Sequence, residues 1–190
     1  MKKNERLKKL LKVHCAQCGT CCSDPIATVT HHDLRRLVKH TGKPARNLVK
    51  LYTCSDFIDQ DEIEEDLIYL SYGKRIMGLR KLDERCIFLS KDRQCTVYEA
   101  RPILCRTYPL ELTITEENKL DEINIRDIIL DKSVSCKYTY GKQKPLKKIL
   151  NYAVQDVIET DSFERKLTKW NKRAEKGGKN EFLAFLGFKE

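Results

Sequence analysis

Apolar positions in the first third of the chain recur at helical spacing. Leu7, Leu10 and Leu11 stand among lysines, which predicts a short amphipathic helix over Lys2 to Val13. Thr30 with Asp33 three residues on has the form of a capping box. Leu34, Leu37 and Val38 then share one face until Gly42 stops the helix. His31 and His32 would be exposed polar residues in its first turn. Pro44 is placed to open a further helix carrying Leu48, Val49, Leu51 and Tyr52, with Cys54 at its end as a small buried hydrophobe. Ile26 to Val29 is apolar enough for a short strand.

The middle of the chain changes to short apolar runs separated by turn residues. Leu67 to Tyr72 and Arg75 to Arg80 predict a hairpin about Gly73-Lys74. Cys86 to Leu89 and Cys95 to Tyr98 predict a second strand pair about the polar turn Ser90 to Gln94, and Leu110 to Thr115 with Ile123 to Leu130 two further strands. Glu99 to Cys105 is a helical turn interrupted by Pro102. The acidic stretch Asp56 to Asp66 is a solvated connection, since it lacks the central glycine of a calcium loop.

From Pro145 the period is helical again. Leu146, Ile149, Leu150, Ala153, Val157 and Ile158 form one face, and Asp161 with Glu164 would cap a second helix bearing Phe163, Leu167 and Trp170. After Gly177-Gly178 the apolar segment Glu181 to Leu186 can dock back on the fold or meet another subunit.

Composition changes the picture through charge and cysteine. Of the net charge of +9, Met1 to Val13 contributes +5 and Lys142 to Lys179 contributes +6, so the middle is close to neutral. Basic ends of this kind could touch nucleic acid or an acidic protein. Aromatic residues do not alternate with the basic ones as in a strand-binding platform, which favours a solvated lysine-rich surface. No apolar run is long enough to span a bilayer, and the N-terminus lacks the apolar core of a signal peptide, so a cytoplasmic protein is expected. In a reducing compartment nine cysteines point to metal ligation rather than to disulfides.

Four of those thiols lie in Cys15-Ala16-Gln17-Cys18-Gly19-Thr20-Cys21-Cys22, and CxxC spacing lets a turning backbone aim two sulfurs at one metal. His14 is a conceivable ligand, but a cluster this rich in cysteine does not need it. Cys86, Cys95, Cys105 and Cys136 supply four more thiols. If the doublet is extended, Cys21 and Cys22 point to opposite sides, which suggests two four-thiolate centres; a single centre with spare thiols remains open. Arg101 and Arg106 flank Cys105, where a fixed positive charge would favour thiolate and donate hydrogen bonds to sulfur. Tyr98 and Tyr108 read as core residues. The expected fold class is α+β: a small cysteine-ligated core of short strands and hairpins over 14–141, between a basic helix at 1–13 and a helical extension at 142–190.

The order CxxCxxCC, C-I-F-L at Cys86, C-T-V-Y at Cys95, Arg101-Pro102 and Cys105-Arg-Thr-Tyr-Pro109 resembles the YkgJ-like CxxCxxCC cysteine-cluster family, described as zinc- or iron-chelating. The resemblance covers Cys15 to Cys136 and implies metal as the partner, held by Cys15, Cys18, Cys21, Cys22, Cys86, Cys95, Cys105 and Cys136 as zinc or as an iron–sulfur cluster. The related flagellin lysine N-methylases tilt the expectation toward iron–sulfur, 4Fe–4S, and raise S-adenosylmethionine-dependent lysine methylation as an alternative activity. Against that activity, the chain has neither a CxxxCxxC motif nor a glycine-rich nucleotide loop. The leading expectation is a metal-chelating protein serving electron transfer or redox sensing. A third reading is an adaptor in which metal only builds the fold, while the basic ends bind RNA or an acidic protein.

Overall fold

The structure is a computed structural model that describes residues 3–23, 26–57, 67–126 and 138–189. It is an α+β fold of helices and small antiparallel sheets. Helix α1 (Lys3–Leu10) leads into strand β1 (Val13–Cys15), and helix α2 (His31–Thr41) follows the cysteine octet. The capping box forms as expected: Asp33 N donates to Thr30 Oγ1 at 3.2 Å, and Thr30 N donates to Asp33 Oδ2 at 3.0 Å. Gly42, at φ 67, ends the helix in the left-handed conformation.

Beyond Pro44 the expected long helix is a single turn, α3 (Ala45–Leu48), and the chain then extends as β2 (Val49–Tyr52). Helical periodicity was a poor guide here because strand β4 (Gly73–Leu79) offers β2 an antiparallel partner, in register Val49 to Leu79 and Tyr52 to Ile76. Strand β3 (Ile68–Leu70) pairs with the other edge of β4, making the expected hairpin, but its turn is Ser71-Tyr72 and not Gly73-Lys74, which open β4 and pair with Leu70 and Tyr69. Gly78 in β4 is needed for packing: a Cβ there would stand 2.7 Å from Ile26 Cγ2 and 3.1 Å from Tyr52 Cε2. The expected strand at Ile26 to Val29 is reduced to one bridge, Thr28 to Gly78.

The second strand pair is also reduced. Cys86 ends strand β6 (Arg85–Cys86), which pairs with β5 (Lys81–Leu82), while Cys95 makes only a bridge to Leu89. Helix α4 (Ile103–Thr107) begins after Pro102. Strands β7 (Leu110–Ile114) and β8 (Leu120–Ile125) form a hairpin, and β9 (Tyr138–Tyr140) pairs with β1, Cys15 opposite Tyr138.

Two helices were expected after Pro145; one continuous helix, α5 (Leu146–Asn171), is found. Asp161 and Glu164 lie inside it, since no glycine or proline interrupts the 26 residues. The terminal apolar segment folds back as α6 (Lys179–Phe185), with Phe182 edge-on to Trp170 at 5.2 Å between ring centroids.

Two apolar cores result. The larger joins Leu34 and Leu37 of α2, Leu48, Met77 and Leu79 to Phe163, Leu167 and Trp170 of α5 and Phe182 of α6. The smaller joins Leu10, Leu11 and Val13 to Leu110, Ile123 and Ile149. Helix α5 therefore serves both cores, and its far end completes the β3 edge: Asn171 Nδ2 donates to Leu67 O at 2.7 Å and Asn171 Oδ1 accepts from Tyr69 N at 2.9 Å. His31 is buried at 1% exposure and stacks against Phe163, not exposed as expected, because α5 covers that face of α2. Among the described residues no helix is long and apolar enough to cross a membrane.

Candidate metal centre

The octet folds into a compact wrap rather than an extended segment. Cys15 closes β1, the chain turns through left-handed residues Gln17 (φ 54) and Gly19 (φ 74), and Thr20–Cys22 forms a 3₁₀ turn. Gly19 meets both conditions that favour glycine: its φ is positive, and a Cβ would lie 3.2 Å from Leu89 Cδ1 and 3.4 Å from Arg93 Cβ. The wrap is thereby pressed against the Leu89–Arg93 turn, whose two flanks carry Cys86 and Cys95.

Cys105 arrives from a third direction, in α4. Asp33 Oδ1 accepts a hydrogen bond from Ile103 N at 2.9 Å, at the start of α4. Arg36 bonds Asp33 and forks onto Glu159 of α5, with Arg36 Nη2 to Glu159 Oε2 at 2.7 Å. A half-buried ionic network thus ties the Cys105 helix to α2 and α5.

Six sulfur-bearing residues, Cys15, Cys21, Cys22, Cys86, Cys95 and Cys105, line one cavity of ≈ 60 Å³. Leu79, Phe88 and Val97 form its apolar wall, Arg93 and Arg101 reach it, and its described lining residues include no carboxylate. The doublet expected to diverge converges: both Cys21 and Cys22 face this cavity, because a 3₁₀ turn does not alternate sides as a strand does. Cys18 lies beside it, its thiol donating to Thr20 Oγ1 at 3.3 Å. Cys136 lies outside the described residues. Cys54 sits in a separate 3₁₀ turn after β2, half-buried and away from the cavity.

None of the eight described cysteines is joined in a disulfide to another described cysteine. A hydrogen bond between Cys21 and Cys22 holds the proton on Cys21, pushing its pKa up, and lowers Cys22 to about 7 against the effect of burial, with the Arg101 guanidinium assisting. Burial pushes Cys86 up to about 11 and raises Cys95 and Cys105 as well. Cys22 is within electrostatic reach of Cys18, Cys21, Cys86, Cys95 and Cys105, which makes it the hub of the set. Among the described residues, no three His, Cys, Asp or Glu side chains are arranged as the ligand group of one ion. Protonated thiols have no reason to crowd to the ~2.3 Å ligand distance at which a metal would hold their sulfurs.

The structure places Arg101 at the cavity, its guanidinium 3.7 Å from the Tyr98 ring centroid, while Arg106 turns away and donates to Arg101 O at 2.7 Å. Tyr98, read as a core residue, is 43% exposed. His14 bonds Lys142 O at 2.8 Å and does not line the cavity. The sequence pattern did not single out Arg93, whose only signal is proximity to Cys95 in the chain, and it marked Phe88 and Val97 only as members of the C-I-F-L and C-T-V-Y runs, without a place in the cavity wall.

Comparison with known proteins agrees with this chemistry. A protein of Methanocaldococcus jannaschii described as uncharacterized is 28% identical over 102 residues, covering 53% of this chain and 46% of that one. The chain thus spans less than half the length of that relative. No solved structure gives a significant match. The family model CxxCxxCC, described as a zinc- or iron-chelating domain, matches residues 14–136. Those residues span both halves of the thiol cavity, and the chain belongs to the CxxCxxCC family.

Proposed function

We propose that the thiol cavity holds an iron–sulfur cluster, 4Fe–4S, and that the protein is a cytoplasmic metal chelator that carries electrons or senses oxidants. The observation that supports the reading is the convergence of six cysteines on one cavity whose described lining residues include no carboxylate. A closed zinc site and a 4Fe–4S cluster each take four thiolates, so six in one cavity suit a single centre of either kind with thiols to spare, and it is the resemblance to the flagellin lysine N-methylases that tilts the reading toward the cluster. The donor set fits zinc or iron in type, and the eight cysteines of the pattern are the proposed ligand pool. Loading requires the thiols to lose their protons and swing inward. Cys22, already lowered to about 7, is the natural first to ionise. Arg101 is proposed to favour thiolate at Cys22, Cys95 and Cys105, whose pKa values it lowers. When bound, a cluster supplies one-electron redox chemistry at this position.

The test is anaerobic purification followed by counting iron, zinc and acid-labile sulfide per chain, with the visible spectrum recorded. Brown protein with matched iron and sulfide is expected. Colourless protein with stoichiometric zinc would refute the cluster and keep chelation; absence of both metals after reconstitution would refute chelation at this cavity.

A further inference from the structure

A second pocket, of ≈ 370 Å³, shares Cys15, Tyr98 and Arg101 with the lining of the thiol cavity. That size lies within the range of small-molecule sites. Four cations converge on it from two elements: Arg101 and Arg106 at α4, and Lys144 and Lys148 at the start of α5. Glu99 is the one carboxylate among its described lining residues, and no described carboxylate makes an ion pair with any of the four cations.

The two arginines are held in place without being neutralised. Arg106 Nε donates to Arg101 O at 2.7 Å and Arg106 Nη2 to Glu99 O at 3.0 Å, while Arg101 Nε donates to Tyr98 O at 3.1 Å. Backbone carbonyls orient both guanidinium planes and leave the charges unmatched, so binding an anion would not require the side chains to be ordered first. The 26-residue helix α5 adds its N-terminal end, where Pro145 provides no side-chain cap. Tyr98, Tyr108 and Tyr152 supply aromatic surface beside these charges. Like charges gathered in a concave, partly dry site repel one another and concentrate counter-ions.

We propose that this pocket binds a small organic anion with two or more phosphate or carboxylate groups, next to the thiol cavity and irrespective of which metal the thiols bind. Phosphate esters and polycarboxylates share the required chemistry, a fork of anionic oxygens for Arg101, Arg106, Lys144 and Lys148. Shared lining residues would put such a ligand beside the thiol cavity.

The experiment uses the purified full chain, with metal content counted, titrated with pyrophosphate, citrate and adenosine diphosphate against chloride at matched ionic strength. Calorimetry and the thermal midpoint are read together. Saturable binding of at least one probe is expected; tighter pyrophosphate or adenosine diphosphate identifies a phosphate ligand, and tighter citrate a polycarboxylate. Lys148→Gln should weaken binding about tenfold, the value of one charge-assisted hydrogen bond, with metal content unchanged. Lys50→Gln, on the exposed side of β2, should leave binding intact. No saturable binding at millimolar concentration, or equal weakening by Lys50→Gln, overturns the proposal without touching the metal reading.

Discussion

Removing the Glu159 carboxylate should loosen the frame that delivers Cys105. In Glu159→Ala the Arg36 guanidinium, whose side chain is 24% exposed, loses its fork on α5 and keeps only Asp33. Breaking a fully buried pair by removing one partner costs about 3 to 5 kcal/mol, and the partial exposure of Arg36 puts this case at the lower end, about 3 kcal/mol. For a chain of this length that is roughly 6 to 12 °C in Tm. Urea denaturation of wild type, Glu159→Ala, Arg36→Met and the double variant, all at one metal loading, gives the cycle. The double variant should recover part of the loss, because Arg36 is then no longer stranded although Asp33 keeps only its bonds to Thr30 and Ile103 N, with a coupling above about 1 kcal/mol. A Glu159→Ala loss below about 0.5 kcal/mol, or strict additivity, would refute the network as the tie between α2, α4 and α5.

Three further outcomes are expected. Cys105→Ser should lower bound metal per chain and Cys54→Ser should not, since only Cys105 faces the cavity; equal metal content in both by elemental analysis would count against it. Gly78→Ala should destabilise by about 1 to 3 kcal/mol in urea, because its Cβ meets Ile26 at 2.7 Å with Tyr52 at 3.1 Å behind; no change in midpoint would contradict that packing. His31 is lowered from 6.5 to about 4 by burial and by the charges of His32, Lys166 and Arg35, partly opposed by Glu159. Its contribution is therefore flat above pH 6.5. It turns destabilising as pH falls toward 4, where the unfolded chain takes the proton first. Asp156, raised to about 6 chiefly by burial, works in the opposite direction over pH 6 to 4, so the comparison must be between variants. Wild type should lose about 2 kcal/mol relative to His31→Gln between pH 7 and 4.5, and a difference independent of pH would rule out a buried neutral His31.

The capping box at Thr30, the hairpin of β3 and β4 and the stop at Gly42 were legible in the sequence because each rests on neighbours a few residues apart, whereas the choice for the terminal segment between docking and a subunit contact was made by distant core residues such as Leu48. The thiols were legible for a related reason: CxxCxxCC marks its chemistry by residue type and spacing. Val49 to Tyr52 was misread because an apolar stretch of four residues takes the form its partner offers, and that partner, β4, lies 27 residues away across the sheet, Tyr52 Oη donating to Leu79 O at 2.8 Å. Burial of His31 was invisible because it depends on Phe163.

The sequence by itself determined that this is an α+β chain whose chemistry resides in thiols. Only the tertiary structure decided that Cys21 and Cys22 face one cavity, that Cys86, Cys95 and Cys105 reach it from different elements, and that Arg101 lines both it and a cationic pocket. The physical reason is that ligand direction depends on backbone conformation. A doublet diverges in a strand and converges in the 3₁₀ turn that Gly19 and the Leu89–Arg93 turn impose on it.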